Sequence, residues 1–190
     1  MVLLARDVRV WINGKGPSEL PMSLAAIAFA AALAQACALP VGLTPLKGDW
    51  VGTLTYRDFS SERQVVLPTT LKASPQCEAV QLDFSFDDGP GKTVTERMQL
   101  SIDPQGRSLT LASEDSQDTY QIEAGSRLEP AGALALTMTG RGTENDKGVE
   151  VREALTLTPT LMVLRRETRP PGGEFKMRHE YRLTLKAPGN

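Results

Sequence analysis

Alternation of apolar and polar side chains is the sequence feature that most constrains the fold of this chain. Residues 80–87 place apolar side chains at every even position and polar side chains at every odd position. Residues 93–102 and 174–186 repeat this period, each with one polar interruption on the apolar face. A β-strand sends successive side chains to opposite faces, so the pattern predicts strands that bury one face. Beyond residue 40 the sequence lacks a helical period of ten residues or more, which indicates an all-β fold.

Shorter runs of the same kind bring the expected count to about ten strands. They cover residues 49–57, 63–72, 107–113, 118–124, 133–140, 148–157 and 160–168. Turn sequences such as Asp103-Pro104-Gln105-Gly106 separate the runs, so neighbouring strands are expected to pair antiparallel in chain order. Closing such a meander removes its exposed edges. We therefore predict one antiparallel up-and-down barrel of about 8–10 strands over residues 48–187, with a two-sheet sandwich as the alternative.

The first 36 residues have the composition of an export signal. Residues 23–36 are uncharged and, apart from Ser23 and Gln35, apolar, and they are shorter than the roughly 20 residues that a membrane-spanning helix needs. Basic residues precede them, and translation from Met22 would give a shorter signal. We predict that residues 1–36 direct a bacterial protein to the periplasm or the outer membrane. A buried Ala-rich helix of the folded domain is the alternative.

Cys37 directly follows a cleavage pattern of small residues formed by Ala34 and Ala36. The run that ends at Cys37 resembles a bacterial lipobox, in which the cysteine is lipidated and becomes the mature N-terminus. This resemblance predicts membrane attachment through Cys37, followed by a short linker over residues 37–47. Ordinary cleavage and a disulfide to Cys77, the second of two cysteines, are the alternatives.

Composition argues against several classes of function. The formal net charge is −2, which offers nucleic acid no basic surface. One histidine and two distant cysteines do not supply the ligands of a zinc site. Catalysis by a nucleophile and a base would have to use His179, and the sequence places no nucleophile beside it. We therefore expect a protein that is not an enzyme, with a hydrolase-type activity as the alternative, and that needs neither a metal nor a cofactor.

The first predicted strand opens with Gly48-Asp49-Trp50, which resembles the G-x-W signature of lipocalins and their calycin relatives. The resemblance covers this motif and the expected topology, and it implies a lipocalin-like barrel. In that family a basic residue of the last strand packs against the tryptophan. Arg178 and Arg182 are the candidates for this structural role, and we expect it to fall to Arg182.

Three polar residues interrupt the apolar faces of the predicted strands: Glu96, Glu153 and His179. An ionised carboxylate inside a barrel is costly unless it is paired, hydrogen-bonded or solvated. We therefore predict that these three residues, with Tyr56 and Tyr120, line a cavity that binds a small apolar or amphipathic ligand. In the alternative, purely structural interpretation, the glutamates lie in solvent at strand ends, and His179 is buried in the core with its hydrogen bonds satisfied.

A second class of function is a structural or protein-binding module of the cell envelope. Its barrel would be filled by bulky side chains and would hold no small molecule. The candidates for filling it are Phe84, Phe86, Met98, Met138 and Met162. The two hypotheses differ in whether the barrel interior contains a cavity.

Overall fold

A computed structural model describes residues 41–58, 61, 63–124, 127–128 and 133–187. Every described residue belongs to one compact unit, Ala36–Asn190. The predicted signal segment and the predicted lipidation site Cys37 lie outside the described residues. Cys77 lies in the turn between the second and third strands, and it is disulfide-bonded.

The described chain consists of one short 3-10 helix followed by strands. The helix is Val41–Leu46, and the strands are β1 (Gly48–Arg57), β2 (Gln64–Gln76), β3 (Ala79–Asp87), β4 (Thr93–Ile102), β5 (Ser108–Ala112), β6 (Gln117–Ile122), β7 (Arg127–Leu128), β8 (Leu134–Glu144), β9 (Lys147–Leu157), β10 (Leu161–Arg169) and β11 (Lys176–Leu185).

The strands form one closed antiparallel sheet. Neighbours pair in chain order from β1 to β6 and from β7 to β11, and β1 pairs with β11, with Trp50 opposite Leu185. The pair Ile122–Met138 belongs to the β6–β8 ladder that closes the sheet. Because β6 and the two-residue β7 pair with different parts of β8, together they occupy one position of a ten-stranded barrel. The predicted up-and-down barrel is confirmed, and the two-sheet sandwich is excluded.

One half of the barrel interior is filled with apolar side chains. Residues of this half that are almost completely buried are Trp50, Leu71, Leu82, Leu100, Leu134, Leu157, Met162 and Leu183. Burying a side chain of this size stabilises the fold by roughly 1.5–3 kcal/mol. We call this half the closed end. Phe84, Phe86 and Met138, named above as candidates for filling the barrel, are buried as well, but Phe84 pairs with Glu96 and Met138 pairs with Glu153.

The 3-10 helix covers the closed end. Its residues Leu43 and Leu46 are completely buried, and the indole Nε1 of Trp50 donates a 2.8 Å hydrogen bond to the carbonyl oxygen of Leu46. The predicted linker of residues 37–47 therefore contains a buried helix that belongs to the barrel core. Six residues around Pro45 are too few to show a period in the sequence.

The structural role expected for Arg182 is wrong. Its side chain is 58% exposed on the outside of the barrel, where Nε lies 3.3 Å from Glu180 Oε1. The register pairs Arg182 with Thr53, whose side chain faces away from that of Trp50. Leu185 is the β11 residue opposite Trp50, so the indole packs against apolar side chains and the lipocalin arrangement is not reproduced.

Candidate functional site

The other half of the barrel interior carries ionisable side chains. They come from five strands and are Glu96 (β4), Asp118 (β6), Glu153 (β9), Arg166 (β10) and His179 (β11). The register explains three of these positions, because Glu153 pairs with Arg166 across β9 and β10, and Arg166 pairs with His179 across β10 and β11. Equivalent positions on neighbouring strands face the same side of the sheet, so all three point inward.

These side chains line one cavity of about 230 Å³, which we call the polar cavity. Its remaining lining residues are Met98, Leu111, Ser113, Ser116, Leu164 and Tyr181. The structure thus brings Glu96, Glu153 and His179 to a single space. The cavity combines a few charged groups with apolar walls, which is the usual composition of a small-molecule site.

Arg166 occupies the centre of a polar network. Its Nη1 donates a 3.0 Å hydrogen bond to the hydroxyl of Tyr120 and contacts Asp118 Oδ2 at 3.4 Å. The Tyr120 hydroxyl in turn donates to the same Asp118 oxygen at 3.0 Å. Tyr120 is 1% exposed and is not among the residues that line the polar cavity. Its position therefore holds the guanidinium of Arg166 in place.

Glu153 is the most deeply buried ionisable group of the site. Its side chain is 1% exposed, and its Oε2 has no hydrogen-bond partner among the described residues. Burial raises the pKa of Glu153 to about 8, although the nearby charge of Arg166 lowers it. At neutral pH the carboxyl group is therefore mostly protonated, which avoids the cost of a buried unpaired charge.

His179 is a neutral imidazole at neutral pH. Burial lowers its pKa to about 4, and the positive charge of Arg166 adds to this effect. Its ring lies 5.4 Å from that of Tyr181 in an edge-on arrangement, measured between centroids. Together the two rings form an aromatic part of the cavity wall.

A β-bulge interrupts the ladder between β10 and β11 beside the polar cavity. The register of β10 and β11 shifts between Arg166 and Glu167, which leaves Arg178 as an extra residue on β11. Arg178 and His179 are consecutive in the chain, and yet both line a second cavity of about 370 Å³. Tyr56 lines this second cavity as well, and Arg166 and His179 are shared with the polar cavity.

Glu96 lies at the exposed rim of the polar cavity. Partial burial of its carboxyl group raises its pKa. Of the five ligand-binding residues predicted from the sequence, three line the polar cavity, Tyr56 lines the neighbouring one, and Tyr120 supports Arg166 from behind.

Two inward-facing glycines of β8 make room for this network. A Cβ atom on Gly140 would lie 2.7 Å from the ring of Tyr120, which is closer than real Cβ atoms approach. A Cβ atom on Gly142 would lie 3.3 Å from Arg166 Nη2. The missing side chains at these two positions thus allow the tyrosine ring and the guanidinium to fit against β8.

The sequence prediction missed Arg166 and Asp118. Arg166 shares the inward face of β10 with Met162 and Leu164, and Asp118 shares that of β6 with Tyr120. Following the period of each strand through to its end would have assigned both residues to the interior. Each was overlooked because only one of the two residues that lie two positions away from it along the strand is apolar.

Among the described residues, the structure contains no group of three or more histidine, cysteine, aspartate or glutamate side chains arranged to hold a metal ion. Within the same part of the chain, no helix is sufficiently long and apolar to cross a membrane.

The fold and the cavity define a class: a closed ten-stranded antiparallel barrel that is filled at one end and polar at the other. A solved structure, that of Rv2717c from M. tuberculosis, is similar, with a TM-score of 0.56 and 13% sequence identity. The match covers 79% of this chain and 100% of that one, and at this identity it shows the fold alone. No protein-family model and no curated protein sequence matches the chain.

Proposed function

We propose that this protein binds a small amphipathic ligand in the polar cavity. The observation that carries the proposal is Glu153 Oε2, a buried oxygen without a hydrogen-bond partner among the described residues, in a side chain that lines the cavity. Buried polar atoms in folded proteins are almost always satisfied, and a bound molecule would satisfy this one. Binding of this kind requires no cofactor and no chemical step.

The dimensions of the site indicate a small ligand. The polar cavity of about 230 Å³ is below the roughly 300–1,000 Å³ that is typical of pockets for drug-sized molecules. The second cavity adjoins it at Arg166 and His179 and offers further room at the mouth. Apolar contacts from Met98, Leu111 and Leu164 favour a ligand with a short hydrocarbon part.

The alternative, a barrel with a filled core, describes the closed end alone. Met162 is buried at that end, whereas the half that contains Glu153 keeps a cavity even though Met138, which pairs with Glu153, is buried there. A purely structural module has no need of a buried carboxyl group, since an apolar side chain of similar size is equally or more stabilising there.

Calorimetric titration with small amphiphiles tests the proposal. Alcohols, carboxylates and amines with four to eight carbons would be titrated into the wild type and two variants. Leu111→Phe narrows the polar cavity, whereas Thr110→Phe places the same side chain on the outer face of the same strand. We expect saturable binding of at least one series, weakened at least tenfold by Leu111→Phe and unchanged by Thr110→Phe. Absence of saturable binding by every series would refute the proposal.

We also propose that the chain is exported across a bacterial inner membrane. The apolar run of residues 23–36 and the cleavage pattern before Cys37 support export. The disulfide at Cys77 fits an oxidising compartment such as the periplasm. Lipidation of Cys37 stays a prediction from the lipobox resemblance, and it competes with a disulfide at the same sulfur.

The intact mass of the mature protein from its own cell envelope would test these points. An N-terminus at Cys37 with added acyl chains would support lipidation, and Cys37→Ser would then release the protein into the soluble periplasm. An unmodified N-terminus with a mass that increases by two hydrogens on reduction would favour the disulfide. A full-length chain in the cytoplasm would refute export.

A further inference from the structure

Acidic side chains outnumber basic ones in the lining of the polar cavity. Three carboxyl groups contribute to its lining, Glu96 from β4, Asp118 from β6 and Glu153 from β9. Arg166 is the single cationic side chain among the residues that line it, because the pKa of His179 is lowered to about 4. The lining therefore contains more acidic than basic groups.

The one guanidinium is already engaged. Arg166 Nη1 bonds to Tyr120 and contacts Asp118, and its distance of 3.6 Å to Glu153 Oε1 exceeds that of a good hydrogen bond. The second oxygen of Glu153 has no partner among the described residues. What the cavity offers a ligand is thus a buried carboxyl oxygen without a partner among the described residues, with a second carboxyl group, that of Glu96, at its rim.

We propose that the ligand of the polar cavity carries a cationic nitrogen and is a small amphipathic amine. Its ammonium group would donate a hydrogen bond to Glu153 Oε2, and its hydrocarbon part would lie against Met98, Leu111 and Leu164. This inference rests on the proposed function and names the class of ligand.

An anionic ligand suits the cavity less well. A carboxylate at this place would approach Glu96 and Asp118, and Arg166 would have to exchange its contacts with Asp118 and Tyr120 to pair with it. Like charges at short range in a buried site are strongly unfavourable. A neutral alcohol would satisfy Glu153 Oε2 without gaining attraction from the surrounding charge.

Binding of an amine is coupled to the protonation of Glu153. An ammonium ion favours the carboxylate form of Glu153, so binding near pH 7 releases a proton from the protein. The groups that face Glu153 are Arg166 on β10, Asp118 and Tyr120 on β6, Glu96 on β4, and His179 and Tyr181 on β11. Above pH 6 His179 is already neutral, and burial raises the pKa of both tyrosines and of Glu96, whereas the pKa of Glu153 is raised to about 8.

Three probes of equal chain length separate the possibilities: hexylammonium, hexanol and hexanoate. Each would be titrated by calorimetry at pH 7, in two buffers with different ionisation enthalpies, against the wild type, Glu153→Gln and Glu150→Gln. Glu150 lies on the same strand but faces outward, where it pairs with Arg169 at 2.6 Å. It is the matched control for loss of a carboxyl group.

We expect hexylammonium to bind the wild type at least tenfold more tightly than hexanol, with hexanoate weakest, and to release a proton. In Glu153→Gln the ratio of the affinities for hexylammonium and hexanol should fall at least tenfold, and in Glu150→Gln it should stay the same. Glu96→Gln, at the exposed rim, is a second variant in case Glu153→Gln folds poorly, and it should reduce the preference severalfold. If hexanol or hexanoate binds as tightly as hexylammonium, the inference is overturned and the proposed function stands. If none of the three binds, both are overturned.

Discussion

Arg166 Nη1 lies 3.6 Å from Glu153 Oε1, and yet the pKa of Glu153 rises to about 8. A guanidinium at this distance ordinarily lowers the pKa of a carboxyl group. Here the loss of hydration at a side chain that is 1% exposed outweighs the attraction, and Asp118 adds a repulsion. The barrel thus keeps a carboxyl group neutral next to a cation.

Replacing Glu153 by glutamine should change how stability depends on pH. The folded-state pKa of about 8 lies above the ordinary value of 4.5, so the group's stabilising contribution is complete below pH 4.5 and is lost as the pH rises to 8. Glutamine does not titrate, so between pH 4.5 and 8 the free energy of unfolding of Glu153→Gln should rise by on the order of 4 kcal/mol relative to that of the wild type. Urea unfolding of both proteins across this range measures the difference.

Glu150→Gln is the control for that series, because Glu150 is exposed on the outer face of β9. Its unfolding free energy should run parallel to that of the wild type. A constant difference between the wild type and Glu153→Gln from pH 4.5 to 8 would show that the pKa of Glu153 is not raised.

His179 should give the opposite trend at lower pH. Its pKa is lowered from 6.5 to about 4, so its stabilising contribution is complete above pH 6.5 and is lost as the pH falls to 4. His179→Gln should therefore gain up to about 3 kcal/mol relative to the wild type as the pH falls through this window. The chemical shifts of the imidazole protons provide a direct check, and a midpoint near 6.5 would contradict the prediction.

Trp50 should be among the residues that contribute most to stability. It is completely buried at the closed end and donates a hydrogen bond to Leu46. Trp50→Ala should cost about 3–5 kcal/mol of unfolding free energy. Trp50→Phe should cost about 1–3 kcal/mol, because the carbonyl of Leu46 loses its donor.

The matched control for Trp50 is Val51→Ala, because the neighbouring side chain points outward and is 41% exposed. Its cost should be within about 0.5 kcal/mol. Denaturant titration distinguishes these outcomes, and a loss below about 1 kcal/mol for Trp50→Ala would be inconsistent with a buried indole.

Gly140 should not tolerate even a methyl group. Alanine at this position would press on the ring of Tyr120, and overpacking of this kind costs about 1–3 kcal/mol. Gly148→Ala on β9 is the control, since a Cβ atom there meets nothing within 4 Å, and its effect should be below about 1 kcal/mol. Thermal unfolding of the two variants tests this, and equal stabilities would argue against the contact between Gly140 and Tyr120.

The strands and their order were predictable from the sequence because alternation requires no knowledge of tertiary contacts. The run over residues 80–87 corresponds to β3, and that over 93–102 to β4. The same logic located Glu153 and His179, since each has apolar neighbours two positions away on both sides. Inward-facing polar residues are recognisable in this way as long as the rest of the face is apolar.

The remaining features depend on the assembled barrel. In the half of the barrel that contains the polar cavity, the inward face itself becomes polar. Arg166 and Asp118 therefore do not stand out in the sequence as single polar residues on an apolar face. The bulge at Arg178 breaks the alternation of inward and outward side chains along β11, and the local sequence contains no pattern that predicts it. The outward position of Arg182 follows from the register between β1 and β11, which pairs it with Thr53. The family resemblance did not predict this register.

The ladder between β1 and β11 has a consequence for the order of events during synthesis. Trp50 and Leu185 come from opposite ends of the barrel sequence, so the ring is incomplete until its last strand has left the ribosome. Sheets built on such distant pairings fold slowly, in milliseconds to seconds. A nascent chain of this kind therefore remains unclosed while it is elongated, and the proposed export would use this interval, before the last strand closes the ring.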